Sequence, residues 1–147
     1  FIKKKSENYI IQKLKNSKVK YCIGRIFSTT NKNQKKNFLV PDLKYKIRKT
    51  KKRLILKNLN HYRDFISMED ISKIILILMR KKFSGILNLG SGKGILLKDI
   101  AKIIAKKYDK KVVFLDNKKP TYLVANITKL LRIYKFKKSN KIEKIIF

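Results

Sequence analysis

Short apolar stretches typical of strands alternate along this chain with amphipathic stretches typical of helices. The helical patterns cover residues 3–16, 38–47, 67–82, 96–108 and 127–134, and the strand patterns cover residues 19–27, 53–56, 62–67, 86–89 and 112–115. Parallel strands need a long crossover between them, usually a helix, so this alternation favours a parallel sheet flanked by helices. The pattern therefore predicts an α/β fold with parallel strands.

Two of these stretches are predicted to be buried. Residues 19–27 are rich in strand-forming residues and indicate a buried strand, in which Cys22 would be a small buried apolar residue. Residues 74–79 are all apolar, but the run is far too short for a bilayer span, so they indicate a buried helix. Ser67 is predicted to cap that helix, with Asp70 three residues later.

The formal net charge of +31 raises the alternative of a nucleic-acid-binding protein. Of the 40 basic residues 34 are lysine, whereas proteins that read nucleic-acid bases depend on arginine for paired hydrogen bonds. Lysine, isoleucine and asparagine fill 67 of the 147 positions, and all three have A/T-rich codons, so a biased genome accounts for the lysine content. The lysines are also scattered. We therefore expect no nucleic-acid partner, although a small anionic ligand is compatible with the charge.

The first residues of the chain already follow a helical pattern, and the chain begins with Phe1 rather than methionine. We therefore expect it to be the C-terminal part of a longer protein. Its single cysteine excludes an internal disulfide framework and suits a reducing cytoplasm, which is the predicted location. No apolar run is long enough to predict a membrane partner.

Four short motifs occur in order along the chain. They are Lys3-Lys4-Lys5-Ser6-Glu7-Asn8-Tyr9, Gly24-Arg25-Ile26-Phe27-Ser28, Arg63-Asp64-Phe65-Ile66-Ser67-Met68-Glu69-Asp70-Ile71 and Asn88-Leu89-Gly90-Ser91-Gly92. In this order they resemble the second half of the extended short-chain dehydrogenases, which include the NAD-dependent nucleotide-sugar epimerases and dehydratases. That family's pattern runs from a Tyr-x-x-x-Lys helix and an Arg-x-Phe-Asn strand end to an Arg-Asp-Phe-x-x-x-x-Asp segment and an Asn-x-Gly-x-Gly turn. The resemblance covers nearly the whole chain.

The resemblance implies a fold, a reaction and a set of partners. The implied fold is the C-terminal part of a doubly wound Rossmann-type domain plus a small substrate-binding lobe, with residues 1–27 and about 68–89 in the cofactor domain and much of the rest of residues 1–147 in the lobe. The N-terminal dinucleotide-binding half would lie outside this chain, which is then expected to be inactive alone. The implied reaction is transient hydride transfer between a sugar carbon and NAD or NADP, in an epimerase, dehydratase or reductase. The implied partner is a nucleotide sugar, no metal ion is implied, and the complete protein could form a homodimer.

Lys3 is the predicted catalytic residue. In the family the catalytic lysine lies four residues before a glutamate and is followed by a strand arginine, and Lys3, Glu7 and Arg25 fit that spacing. The ammonium favours the ionised form of a nearby tyrosine, which then exchanges a proton with the sugar hydroxyl. That tyrosine would lie two residues upstream of Phe1, and the family lysine also binds the nicotinamide ribose. A rival register gives this role to Lys5 and puts Phe1 at the tyrosine position but breaks the glutamate spacing, and an ordinary surface lysine is the third interpretation.

The other predicted site residues are also implied by the resemblance. Ile26 and Phe27 match positions beside the nicotinamide. Ser28 replaces the family's substrate-binding asparagine and has a shorter reach, and Leu39 is assigned to the substrate site. Arg63 matches the arginine that holds the substrate diphosphate, a task that suits its planar fork.

Three features of the substrate site depart from the family pattern or have an alternative. Lys119 lies near a second phosphate-binding arginine of the family, where a lysine is a weaker point charge. For Arg63 the alternative is a surface ion pair with Asp64 or Glu69. Residues 29–34 lack the family's Tyr-Gly-Pro, so the resemblance does not imply which sugar is bound.

A glycine-rich turn supports the main alternative to this resemblance. Residues 86–94 form a predicted strand that ends in Gly-x-Gly-x-Gly before a helix, which is similar to the first motif of S-adenosylmethionine-dependent methyltransferases. Asp116 could supply their ribose-binding acid. Only 53 of the 147 residues follow Gly94, too few for the rest of that fold, and Asn88 stands where an acid is preferred. The other interpretation of these glycines is a tight turn with a purely structural role. For the chain as a whole, a further hypothesis is a degenerate, non-catalytic remnant of an enzyme.

Overall fold

The computed structural model describes residues 2–31, 33–136 and 142–147, in which helices are interspersed with single strands and pairs of strands. The elements are α1 (Ile2–Leu14), β1 (Cys22–Ile26), α2 (Leu39–Lys49), β2 (Leu54–Lys57), β3 (Tyr62–Asp64), α3 (Met68–Arg80), β4 (Gly85–Leu89), β5 (Gly94–Leu96), α4 (Leu97–Lys107), β6 (Val112–Leu115), β7 (Tyr122–Leu123), α5 (Thr128–Leu131) and α6 (Ile142–Ile146). In the described residues β1 pairs with β4, β2 with β6 and β3 with β7 in parallel, and β3 pairs with β5 antiparallel. The predicted α/β fold with parallel strands is confirmed, with one antiparallel pair added.

The parallel pair of β1 and β4 sets the position of the segments that follow these strands. The two strands are paired along their whole length, so their carboxyl ends lie at one edge. Just beyond them, the Phe27 N–H donates to the Leu89 carbonyl at 3.0 Å. Ser28 then forms a parallel bridge with Phe65, in which the Ser28 N–H donates to the Asp64 carbonyl at 2.9 Å. These bonds hold the segment after β1 against the segment after β3.

A first hydrophobic cluster packs α2 and α4 against β2 and β6. Both helices carry apolar residues at intervals of three and four, which produces one apolar face on each. The buried members of this cluster are Val40, Leu43, Ile47, Leu56, Leu59, Phe65, Leu97, Ile100, Ala101, Ile104, Ala105 and Ile146. The cluster fixes the start of α2 beside β3, which is where the cleft described below lies.

A second hydrophobic cluster packs α3 and α5 against β4. Its buried members are Ile66, Ile71, Ile74, Leu78, Leu87, Leu89, Leu130 and Tyr134. The predicted cap of α3 is confirmed, because Ser67 Oγ accepts a hydrogen bond from the Asp70 N–H at 3.0 Å. The Tyr134 hydroxyl donates to the buried Asp70 carboxylate, and burial together with this bond raises the pKa of Tyr134 to about 12.

The predicted burial of the first strand is wrong. Four of the five residues of β1 are exposed, and Cys22 is exposed rather than buried. Within the described residues β1 pairs with β4 alone, and α1 has no buried residue, so this strand lacks the cover that a central strand has. The strand itself forms where it was predicted.

The prediction that residues 74–79 form a buried helix is correct for one face of α3 only. Ile74 and Leu78 are buried, whereas Ile75, Leu76 and Met79 are exposed. The helical period explains the difference, since residues four apart share a face and their neighbours do not. In the described part of the chain no helix has the length and apolar character needed to cross a membrane.

Three short elements were not predicted, namely β5, β7 and α6. The strands β5 and β7 contain three and two residues, too few to produce a recognisable alternation. They form because both pair with β3, one on each side. The glycine-rich loop predicted at residues 90–94 therefore leads into a strand at Gly94, and the following helix begins at Leu97.

Candidate functional site

A cleft of about 330 Å³ lies where the segments after β1 and β3 meet the start of α2. Phe27 and Ser28 directly follow β1, Arg63 belongs to β3, and Leu39 begins α2. The lining is completed by Thr29, Gln34, Phe38, Val40, Phe65 and Leu97. The tertiary structure thus brings four residues that sequence reasoning assigned to a ligand site around a single cleft, at the carboxyl end of a parallel strand.

The guanidinium of Arg63 is held at one of its nitrogen atoms. Nη1 donates to the Tyr62 carbonyl at 2.7 Å, to Thr121 Oγ1 at 3.0 Å and to the Thr121 carbonyl at 3.4 Å. Over the described ranges neither Asp64 nor Glu69 forms an ion pair with Arg63, so the alternative surface ion pair is not formed. Within those ranges Nε and Nη2 also make no hydrogen bond. This edge of the guanidinium can therefore bind an anionic ligand.

His61 supports Arg63 through Thr121. The Thr121 N–H donates to His61 Nδ1 at 3.2 Å, and the Thr121 hydroxyl lies 3.0 Å from the same nitrogen. The Tyr62 N–H donates to the Thr121 carbonyl at 2.8 Å, and the rings of Tyr62 and Tyr122 stack at 4.6 Å. Sequence patterns assign no role to a lone histidine, whereas the structure shows His61 contacting the residue that holds Arg63.

Asp64 is fully buried and holds the glycine-rich turn, a function that sequence reasoning missed. Its carboxylate accepts hydrogen bonds from the N–H and the hydroxyl of Ser91 at 2.7 Å each, from the Gly92 N–H at 2.8 Å and from the Ala125 N–H at 3.1 Å. A Cβ atom at Gly90 would lie 2.7 Å from this carboxylate and 2.5 Å from the Ala125 Cβ, so only glycine fits. The sequence did contain a signal for this contact, because Asp64 and the glycines belong to two of the four motifs that occur in order along the chain.

The bonded turn contradicts the methyltransferase interpretation. The N–H groups of Ser91 and Gly92 already bind an internal carboxylate, so they cannot hold an anionic or hydroxyl ligand as such a turn does in nucleotide-binding proteins. Asp116 is also engaged: it accepts from the N–H groups of Leu59 and Asn60 at 2.9 and 3.1 Å and pairs with Lys98 at 2.6 Å. The hydrogen bond from Lys98 lowers the pKa of the Asp116 carboxyl. The turn is structural.

A two-point ionic contact joins α1 to β1. Arg25 Nη2 donates to Glu7 Oε2 at 2.6 Å, and Arg25 Nε donates to Glu7 Oε1 at 3.0 Å. The hydrogen bond lowers the pKa of Glu7 and raises that of Arg25. Lys3 and Lys4 lie four and three residues before Glu7 and share its face of α1, whereas Lys5 does not. The catalytic role of Lys3 stays a prediction.

Three of the predicted site residues lie outside the lining of the cleft. Lys3 is exposed on α1, Ile26 is exposed at the end of β1, and Lys119 is exposed in the segment before β7. Their proposed roles are not decided by the cleft. Among the described residues, no group of three or more histidine, cysteine, aspartate or glutamate side chains is arranged to hold a metal ion.

Comparisons with known proteins agree with this fold and its motifs. Residues 2–90 match the NAD dependent epimerase/dehydratase family. No protein of curated function matches the chain in sequence. Among solved structures, RMD from Pseudomonas aeruginosa, complexed with NADPH, has a TM-score of 0.81 at 15% identity, over 95% of this chain and 50% of its own.

Two further solved structures share the fold. UDP-N-acetylglucosamine 4-epimerase from Methanobrevibacter ruminantium, in complex with UDP-N-acetylmuramic acid, has a TM-score of 0.80 at 21% identity, over 95% of this chain and 48% of its own. dTDP-glucose 4,6-dehydratase from Bacillus anthracis, in complex with NAD, has a TM-score of 0.77 at 15% identity, over 95% of this chain and 46% of its own. The Rossmann-type α/β class predicted from the sequence is confirmed. The chain spans about half the length of these structures.

Proposed function

The chain belongs to the NAD dependent epimerase/dehydratase family, and from this premise we propose that its cleft of about 330 Å³ binds a nucleotide sugar. The observation that carries the proposal is the arrangement of Phe27, Ser28, Leu39 and Arg63 around one cleft. In α/β folds, ligands bind beyond the carboxyl ends of the parallel strands, and the cleft lies beyond β1. The similar epimerase in complex with UDP-N-acetylmuramic acid also supports it.

Arg63 is the residue that we propose to hold the diphosphate. Its Nη1 atom is occupied by Tyr62 and Thr121, which leaves Nε and Nη2 as a pair of parallel donors. Such a pair matches two phosphate oxygens, and the charge on both partners makes the bonds stronger than neutral ones. His61 keeps Thr121 in place, and Lys119, close by in sequence, adds a positive point charge. The positively charged chain attracts such an anionic ligand as a whole.

The rest of the cleft suits the sugar. Phe27 and Leu39 supply apolar wall area, and Ser28 supplies a hydroxyl in place of a longer amide. Pockets for small ligands are mostly apolar with a few polar groups that orient the ligand, and this lining has that composition.

We propose that the nicotinamide end of NAD or NADP contacts Lys3, Ile26 and Phe27. Ile26 is exposed and Phe27 half-buried at the end of β1, so both have surface left for a flat ring. The turn at residues 90–94 does not fit the pyrophosphate, because Asp64 already binds its N–H groups. The pyrophosphate is therefore assigned to a dinucleotide-binding half outside these residues. When bound there, NAD or NADP would supply hydride-transfer chemistry at a sugar carbon.

The Lys3 ammonium is proposed to stabilise a tyrosinate on the same helix. A nearby positive charge lowers the pKa of a tyrosine hydroxyl, so the tyrosine can exchange a proton with the sugar hydroxyl near neutral pH. This step is common to an epimerase, a dehydratase and a reductase, and the proposal covers all three.

The proposal includes the organisation of the complete enzyme. Residues 1–27 and about 68–89 are assigned to the cofactor domain and most others to the substrate lobe. The separation of two hydrophobic clusters supports this division, since α3 and β4 belong to one and α2 and α4 to the other. The complete enzyme is proposed to be a cytoplasmic homodimer, and a single cysteine is compatible with a reducing compartment.

The test is the affinity of the 147-residue chain for UDP and UDP-glucose, measured by NMR titration of variants at Arg63. Arg63→Ala is expected to weaken both ligands by about 1.5–3 kcal/mol, the range for hydrogen bonds to charged groups. Arg63→Lys should recover only part of the loss, because an ammonium cannot make the paired contact. Arg53→Ala, which removes an exposed arginine outside the cleft lining, is the matched control. Equal affinities for the Arg63→Ala variant and the unmodified chain would refute the assignment of the diphosphate.

A further inference from the structure

Two polar side chains in the segment after β1 carry oxygen atoms without hydrogen-bond partners. Among the described residues, the buried Thr29 Oγ1 and the buried Gln34 Oε1 have no partner. Both residues line the cleft that contains Arg63. The bond that links them is long, since Gln34 Nε2 donates to the Thr29 carbonyl at 3.4 Å.

Buried polar atoms without partners are rare, because each has given up hydrogen bonds to water and gained none in return. Thr29 and Gln34 lie on the cleft and belong to neither hydrophobic cluster. Among the described residues, the hydrogen bond that the Gln34 side chain donates is the long one to the Thr29 carbonyl at 3.4 Å. A ligand group that forms hydrogen bonds with these oxygens replaces the hydrogen bonds to water that burial removed. The cleft therefore favours ligands that carry such a group.

We propose that Thr29 and Gln34 select the sugar of the nucleotide-sugar substrate, an inference that rests on the function proposed for the cleft. Gln34 Oε1 can only accept a hydrogen bond, whereas the Thr29 hydroxyl can donate or accept one. Together they match a sugar substituent that combines a donor with an acceptor, which is a hydroxyl or an acylamino group. A sugar with hydrogen or methyl at that position leaves both oxygens unpaired.

The neighbouring residues support an uncharged partner for this pair. The side chains of Phe27, Phe38 and Leu39 are apolar, and in the described lining Arg63 is the charged residue. Because Arg63 is assigned to the diphosphate, the neutral pair remains for the neutral part of the ligand. The segment that contains Thr29 and Gln34 is also the one that lacks the family's Tyr-Gly-Pro, so the resemblance does not imply its contacts.

The test compares UDP, UDP-glucose and UDP-N-acetylglucosamine as ligands of the 147-residue chain, in NMR titrations of Gln34→Leu and Thr29→Val. Each variant removes polar atoms at nearly constant volume. We expect a loss of about two- to tenfold for at least one UDP-sugar, the range for one net hydrogen bond, and an unchanged affinity for UDP. A larger loss for UDP-N-acetylglucosamine identifies an acylamino partner, and equal losses identify a shared hydroxyl. Gln12→Leu on exposed α1 is the matched control.

Other outcomes overturn the inference. Equal losses for UDP and both UDP-sugars would mean that the pair acts on the diphosphate or on folding, and unchanged affinities would mean that it contacts no ligand. If thermal melting shows Gln34→Leu to be unfolded, Thr29→Val provides the test by itself, because it removes the other of the two oxygens without partners. Failure of the unmodified chain to bind any UDP-sugar at millimolar concentration contradicts the proposed function itself. If the unmodified chain binds the UDP-sugars and the variants keep the same ratio of UDP-sugar affinity to UDP affinity, this inference is wrong and the proposed function stands.

Discussion

At the scale of single residues, Asp64 and Arg63 are neighbours on β3 with opposite environments. Asp64 is fully buried, and each of its carboxylate oxygens accepts two hydrogen bonds. Arg63 is half-buried and faces the cleft with part of its guanidinium unbonded among the described residues. Successive residues of a strand point to opposite sides, so one short strand provides both a structural anchor and a ligand contact.

Asp64→Asn should destabilise the chain strongly. The amide nitrogen of asparagine is a donor, and it would face backbone N–H groups that also donate. We expect a loss of at least about 2 kcal/mol in the free energy of unfolding, measured by urea denaturation. Asp99→Asn is the control, because the Asp99 side chain is 51% exposed and, in the described residues, pairs with Lys102 at 3.2 Å. Exposed pairs contribute less than about 1 kcal/mol. Similar losses for the two variants would show that the Asp64 contacts are not formed.

Measurements of turnover can decide whether Lys3 or Lys5 is the catalytic lysine. In an enzyme that joins this chain to a dinucleotide-binding half, Lys3→Met should lower kcat far more than Lys4→Met or Lys5→Met. The reason is the family spacing, in which the catalytic lysine lies four residues before the glutamate, here Glu7, which pairs with Arg25. A greater loss of turnover for Lys5→Met would establish the rival register, with Phe1 at the tyrosine position.

At the scale of elements, α1 is held to β1 by charge rather than by burial. No side chain of α1 is buried, and the contact between Glu7 and Arg25 is the ion pair that spans the two elements in the described residues. The other helices depend on apolar faces; α2, for example, buries Val40, Leu43 and Ile47. The position of α1 should therefore respond to pH, whereas the positions of α2 and α4 should not.

Acidification should break the contact between Glu7 of α1 and Arg25 of β1. The hydrogen bond from Arg25 lowers the pKa of Glu7, so the contact is complete above the ordinary glutamate pKa and is lost as pH falls through the lowered value. In NMR spectra the Arg25 Nε–H signal should shift between neutral pH and about pH 3, toward its position in Glu7→Gln at neutral pH. The Arg80 Nε–H signal is the internal control. If Glu7→Gln leaves the Arg25 signal unchanged at neutral pH, the contact does not exist in solution.

At the scale of the whole molecule, two hydrophobic clusters stabilise a chain that spans about half the length of the solved structures it resembles. The cleft for the proposed sugar lies beside the first cluster, and the exposed strand β1 lies beside the second. The glycine-rich turn between β4 and β5 is closed by Asp64. The described residues thus contain the cleft that is proposed for the sugar, and their glycine-rich turn is not open to a dinucleotide.

The 147-residue chain alone should not bind NAD or NADP with useful affinity. Its glycine-rich turn is closed, and a dinucleotide needs free N–H groups at such a turn for its pyrophosphate. Isothermal titration calorimetry should show no heat of binding for either cofactor, while NMR titration with UDP-glucose in the same buffer provides the positive control. Micromolar binding of NAD or NADP would contradict the assignment of the pyrophosphate to another half of the enzyme.

The sequence by itself determined the order and type of the long elements, the cap at Ser67 and the membership of a family. These features depend on local periodicity and on motifs that are continuous in the chain. Only the tertiary structure decided that Arg63, Phe27 and Leu39 share a cleft. Only the tertiary structure likewise showed that Asp64 binds the N–H groups of the glycine-rich turn. Burial of β1 was predicted wrongly for the same reason: strand-forming residues report local preference, whereas burial depends on which elements pack around a strand.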